Sequence, residues 1–108
     1  MPKYLFEVSY TAAGAKGLIE QGGNARREAI RASVEQAGGK LEAFYFAFGG
    51  TDAYVIADHL DNVTAVAQAL AVAASGAATL RTVVLLTPEE IDAASAREVQ
   101  YSPPPLGS

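Results

Sequence analysis

An α+β sandwich, with one antiparallel sheet carrying helices on one face, is the fold this chain predicts, and three observations predict it. Residues 3–10 alternate in the period of two that marks a strand, with Tyr4, Phe6, Val8 and Tyr10 on one side and Leu5, Glu7 and Ser9 on the other. Two stretches of helical periodicity, 25–37 and 63–74, are each followed by a strand pattern. Between them, strand patterns at 41–48 and 53–58 are separated only by Gly49-Gly50-Thr51-Asp52, a spacing short enough to make them an antiparallel hairpin. The order strand, helix, strand, strand, helix, strand is that of a ferredoxin-like βαββαβ sandwich.

The first strand is followed by residues 11–20, where Thr11 can cap a helix that Gly14 and Gly17 weaken, so a short helix or lid ending at Gly22-Gly23 is expected. Asn24 is expected to cap the next helix, whose Ala29, Ile30, Ser33, Val34 and Ala37 share a side and which Gly38-Gly39 ends. In the second strand Phe44, Phe46 and Phe48 should point one way and Leu41, Ala43, Tyr45 and Ala47 the other, which leaves neither face suited to water. Asp61 or Asn62 caps the helix over 63–74, whose polar positions are only Thr64, Gln68 and the terminal Ser75. A helix so nearly apolar all round should be contacted from both sides. Residues 79–86 give the last strand. Thr87-Pro88-Glu89-Glu90 is a capping box with proline at the first helical position, and it starts a C-terminal helix running to about Glu98.

Residues 1–100 therefore form a single domain, and 101–108, with three consecutive prolines, form an extended, disordered tail whose Gly107-Ser108 resembles a cloning remnant. With 108 residues, 50% of them apolar and 19% charged, the chain holds more apolar surface than so small a domain can bury. It is expected to associate with itself, as a dimer first. A net charge of −4 argues against nucleic acid and against a membrane surface as partners. Cysteine is absent and histidine occurs once, which excludes disulfides and thiolate metal sites and leaves no metal-ligand spacing. No cofactor motif is present. The N-terminus lacks the pattern of a secretory signal, so a cytoplasmic protein is expected.

The run Gly38-Gly39-Lys40-Leu41-Glu42-Ala43-Phe44-Tyr45, then Phe48-Gly49-Gly50-Thr51-Asp52 and Tyr54-Val55-Ile56, resembles the GYD-domain family of small bacterial proteins. The likeness takes in the first strand, Asp61-Asn62, and Arg81-Thr82, and so covers most of residues 3–92. Family members usually carry glycine, any residue, tyrosine and aspartate in the turn; here Gly49 and Asp52 are kept and Thr51 stands in place of the tyrosine. The resemblance implies an oligomeric fold of the dimeric α/β-barrel type and no particular activity. Without the tyrosine hydroxyl, a catalytic acid in this turn is disfavoured. Glycine and aspartate are also what a hairpin turn wants, since Gly permits positive φ and Asp bonds nearby backbone.

Polar candidates are few. Glu7 and Arg81 fall on adjacent strands of such a sheet and could pair on one face, with Ser9 and Tyr45 or Tyr54 nearby according to strand phase. That cluster reads either as a buried structural pair at a subunit interface or as the anchor of a small ligand in an aromatic pocket. His59, between Asp58 and Asp61, reads as a surface residue rather than a general base. Lys16, Arg26 and Arg27 read as solvated charges around a helix start, and Ser9, Ser33 and Ser75 lack any nucleophile motif. These features predict an oligomeric module binding a small organic ligand or a protein partner. The alternative is a cofactor-independent monooxygenase or isomerase of the dimeric α/β-barrel type, which rests on fold analogy.

Overall fold

The computed structural model describes residues 2–47 and 49–107. Its elements are β1 (Lys3–Tyr10), α1 (Ala12–Gln21), α2 (Gly23–Gln36), β2 (Lys40–Phe46), β3 (Ala53–Asp58), α3 (Asn62–Ala74), β4 (Ala78–Leu85) and α4 (Pro88–Ser95). The four strands make one antiparallel sheet in the order β2-β3-β1-β4, so the fold is α+β as expected. Phe48, expected beside Phe44 and Phe46, lies outside the described residues, as does Ser108 of the tail.

The core follows from the alternation in β1. Tyr4 and Phe6 are buried under the helices with Val55 and Ala57 of β3, Val34 of α2 and Ala65 of α3. The Tyr4 hydroxyl donates to Asn62 Oδ1 and ties β1 to the start of α3. Leu60, in the loop between β3 and α3, is 1% exposed and fills the end of the core beside Gly39, where a Cβ would fall 2.5 Å from Leu60 Cδ2. That close approach is what requires glycine at 39.

Helix ends are set by local chemistry. Asp61 Oδ1 accepts from Thr64 N at 2.7 Å and caps α3, and these bonds hold its carboxyl below the usual carboxylate range. Thr87 and Glu90 form both halves of the capping box at α4. Asn24 does not cap α2: the helix begins one residue earlier, at Gly23, and follows α1 after the single residue Gly22, whose φ of 86° breaks the path. No side chain caps that start. α1 itself is anchored through Thr11, whose backbone N–H donates to Ala77 O at 3.0 Å and whose hydroxyl donates to Gly76 O at 2.8 Å. α4 stops at Ser95, short of the expected Glu98.

A register shift between Leu41 and Ala43 corrects the reading of β2. Leu41 pairs with Ala57 and Ala43 with Ile56, so Glu42 is the extra residue of a bulge. Leu41 is thereby turned onto the helix-covered face and buried, together with Phe44 rather than opposite it. The plain alternation of the sequence gives no sign of a bulge there.

α4 and the residues after it are exposed throughout and pack on no other element to any extent. The radius of gyration, 17.4 Å, accordingly exceeds the roughly 13 Å of a compact chain this long. No helix among the described residues is long and apolar enough to cross a membrane.

Candidate functional site

The two faces of the sheet present two candidate sites. On the face turned away from the helices, register pairs Tyr45 with Tyr54, Tyr54 with Glu7 and Glu7 with Arg81, so four of the five residues singled out in the sequence form one row across all four strands. Ser9 stands one pair further along β1, opposite Thr79, and its hydroxyl donates to Gly50 O at 3.0 Å. The row is open. Tyr45 is 71% exposed and the Arg81 side chain 83%, while that of Glu7 is 19% exposed, and Arg81 Nε lies 3.8 Å from Glu7 Oε2. Within one chain the pair is thus not the buried ion pair anticipated, because no helix covers this side.

The hairpin turn is closed by Ala47 N, which donates to Asp52 O at 2.8 Å, and is tied to β1 as well. Asp52 Oδ2 accepts from Tyr10 N at 2.8 Å, and Asp52 N donates to Val8 O at 2.8 Å, so the aspartate completes the β1 edge beyond the last sheet pair. The left-handed glycines are Gly22, Gly38 and Gly76, at helix ends, and Gly50 is not among them. His59 is exposed, adopts φ 61° and donates its N–H to Asp58 Oδ1, the bond that chiefly holds the Asp58 carboxyl below its ordinary range.

The second site lies under the helices and was missed in the sequence. α2 packs mainly on β2 and α3 mainly on β4, which leaves a cleft of about 300 Å³ over the two central strands. Each helix lines it with the same sequence of side-chain types: Arg26, Ala29, Ile30 and Ser33 from α2, then Gln68, Ala71, Val72 and Ser75 from α3. Positions i, i+3, i+4 and i+7 fall on one face of a helix, and small alanines and serines at facing positions leave the space unfilled. Ser33 Oγ donates to Gln68 Oε1 at 2.9 Å, the one side-chain hydrogen bond between these helices among the described residues. A smaller void of about 50 Å³ continues the cleft between Phe6, Val34 and Leu80.

Two polar groups are left available in this cleft. Arg26, read from the sequence as solvated, is half-buried, and its Nε is the one buried side-chain nitrogen or oxygen among the described residues with no hydrogen-bond partner. Tyr10 is half-buried beside it, and burial pushes its phenol above the ordinary value, with Asp52 adding to the shift and Arg26 opposing it. Ser33 is engaged by Gln68, and Ser75 Oγ donates to Val72 O at 2.6 Å. The signal for Arg26 was present: it stands one turn before Ala29 and Ile30 on the apolar side of α2. No group of three or more metal-ligating side chains occurs among the described residues.

The apolar outer stripe of α3 completes the picture. Its polar Gln68 turns inward to the cleft and the exposed C-cap Ser75 stands at the cleft's rim, while Val63, Val66 and Leu70 are exposed, the reverse of an ordinary surface helix.

A family model described as the GYD domain matches residues 4–95. Comparison with curated proteins gives no match, and neither does comparison with solved structures. Since the matched span holds all of the sheet but Lys3, both cleft-lining helices and the turn at Asp52, the chain belongs to the GYD-domain family.

Proposed function

We propose that this chain is a cytoplasmic, self-associating module of the ferredoxin-like, dimeric α/β-barrel type that binds a small organic molecule in the cleft between sheet and helices. The observation that carries this reading is the cleft itself: about 300 Å³, mostly apolar, with Arg26 and Tyr10 converging on it. That size is at the lower end of small-molecule sites, and a few placed polar groups in an apolar lining are their usual make-up. The strand order β2-β3-β1-β4 supports the ferredoxin-like assignment.

Self-association is supported by surfaces that a lone chain leaves wet. Tyr45 and Tyr54 on the open sheet face, and Val63, Val66 and Leu70 on α3, are larger apolar exposures than isolated surface residues. A second copy packed sheet to sheet would cover the row from Tyr45 to Arg81 and bury the Glu7–Arg81 pair, so this row belongs to an interface and the ligand to the cleft. An enzymatic role draws no support from the lining. Its titratable groups are Arg26 and Tyr10, and neither accepts a proton near neutrality.

Native mass spectrometry of the purified protein tests both halves. An oligomer carrying a small organic mass, released on denaturation and lost in Ala71→Leu, is the expected result. A monomer at micromolar concentration would overturn the self-association, and unliganded protein whose Ile30 and Val72 methyl resonances ignore every apolar fragment offered would overturn the cleft as a binding site.

A further inference from the structure

We propose that the cleft takes an organic anion, a single carboxylate on an apolar body, with the Arg26 guanidinium as its charge partner. This rests on the reading of the cleft as a ligand site and names the class of ligand. A guanidinium has donors and no acceptor, and it does not shed its proton in proteins. Its Nε is buried without a partner and the guanidinium lines a cleft that holds no carboxylate, so its charge is met by water or by an anion brought from outside, unlike that of a buried lysine, which can neutralise instead.

Among the described residues no acceptor of the chain meets that nitrogen. The other arginines of α2, Arg27 and Arg31, both lie 3.2 Å from oxygens of Glu28 on the outer surface, and Arg26 forms no salt bridge among the described residues. No aspartate or glutamate lines the cleft. Asp52, the acid whose charge reaches Tyr10, has one oxygen engaged by Tyr10 N. Of the two available groups, the Arg26 guanidinium only donates and the Tyr10 hydroxyl can donate as well as accept, so the two together suit a carboxylate. One cation balances one negative charge. The remaining lining, with Ile30, Val55, Phe44 and Val72, and the void beyond toward Phe6 and Leu80, suits a ring or a branched chain.

The test compares acids with their amides. Benzoate, phenylacetate and hexanoate, each beside its carboxamide, are titrated into the full chain at pH 7 while the Ile30 and Val72 methyl resonances are followed. Acids are expected to bind about 10- to 100-fold more tightly than amides, the range of a charge-assisted hydrogen bond. Arg26→Met should abolish that preference and Arg26→Lys should keep part of it. Without ligand, Arg26→Met should melt no lower than the natural chain, because an unpartnered guanidinium has been removed; a residue kept for structure would lower it. Amides binding as well as acids would overturn the anion and leave the cleft standing as a ligand site. Neither series moving the lining methyls would overturn both. If Arg26→Met does not fold, it is a structural residue, and the acid–amide ratio of the natural chain decides the ligand class.

Discussion

The two faces of the sheet fail to satisfy themselves in different ways. Under the helices, apolar side chains pack around Tyr4 and Ala57, and what is missing is an acceptor for one buried nitrogen, Arg26 Nε. On the open face the polar groups have partners or water, and what is missing is cover for Tyr45, Tyr54 and Val83. A missing acceptor in an enclosed space is a small-molecule deficit, since a few atoms meet it. Missing cover over a whole sheet face is a macromolecular deficit, since only another surface of similar extent can supply it.

The largest test of this contrast is a pair of neighbours on β1. Phe6 faces the helices and Leu5 the open side, opposite Ile56 and Val83. Phe6→Ala should cost about 3–5 kcal/mol in urea unfolding, as for other buried aromatics. Leu5→Ala should cost less than about 1 kcal/mol in dilute solution, where the face is wet, and more as protein concentration rises and a second copy covers it. Equal costs for the two at all concentrations would mean that the faces do not differ in the way the structure places them.

A second pair sharpens the description of the cleft. Ala53 and Ala57 lie on the same strand and the same face and are both 0% exposed, but Ala53 lines the cleft and Ala57 sits in packed core. Ala57→Val should overpack and cost about 1–3 kcal/mol. Ala53→Val has space to enter and should cost less than about 1 kcal/mol while weakening ligand binding. Thermal unfolding of the two variants side by side measures the difference, and equal losses would mean that the cleft closes in solution.

How much of this was legible follows the range of the interactions involved. The α3 and α4 starts were readable because Asp61 and the Thr87–Glu90 box act within one turn of chain. The pairing of Glu7 with Arg81 was readable because strand order and alternation fix those neighbours, whereas the place of Tyr45 and Tyr54 in the same row depended on the phase of the hairpin strands. The Glu42 bulge was not readable, because Lys40-Leu41-Glu42-Ala43 alternates equally well without one. Arg26 was missed for a physical reason: a charge at a helix start is normally solvated, and only the packing of α2 on β2, leaving α3 to β4, encloses this one. The inward turn of Gln68 was hidden in the same way, since a polar residue on so apolar a helix would ordinarily face water.

On the open face, Arg81→Met should have a smaller effect than any core substitution. An exposed pair with nitrogen and oxygen 3.8 Å apart gains little from charge in water, so dilute protein should lose no more than about 0.5 kcal/mol. At concentrations where copies associate, the same variant should be worse than Arg81→Met combined with Glu7→Gln, because burial would leave the Glu7 carboxylate without its partner. Sedimentation of the single and double variants checks this ordering. Identical behaviour of all forms would place the association elsewhere, and the exposed stripe of α3 would become the surface to mutate next.

The smallest effect is expected at the end of the chain. Residues 101–107 are exposed, belong to no helix or strand and include Pro103, Pro104 and Pro105, which have no backbone N–H with which to join a sheet edge. Among the described residues no hydrogen bond holds them, and the preceding α4 is itself exposed along its length. Truncation after Gln100 should therefore move the melting temperature by less than about 2 °C, where 1 kcal/mol would move it by roughly 4–8 °C. Tyr101 and Leu106 are the two large apolar side chains that truncation removes, and both are more than 70% exposed in the single chain. If the melting temperature falls further, and falls most at the concentrations where the protein is associated, those two side chains are seated on a neighbouring copy. The tail would then share with the open sheet face the role of joining chains, and the boundary between domain and tail would have to move from Gln100 to the end of the sequence.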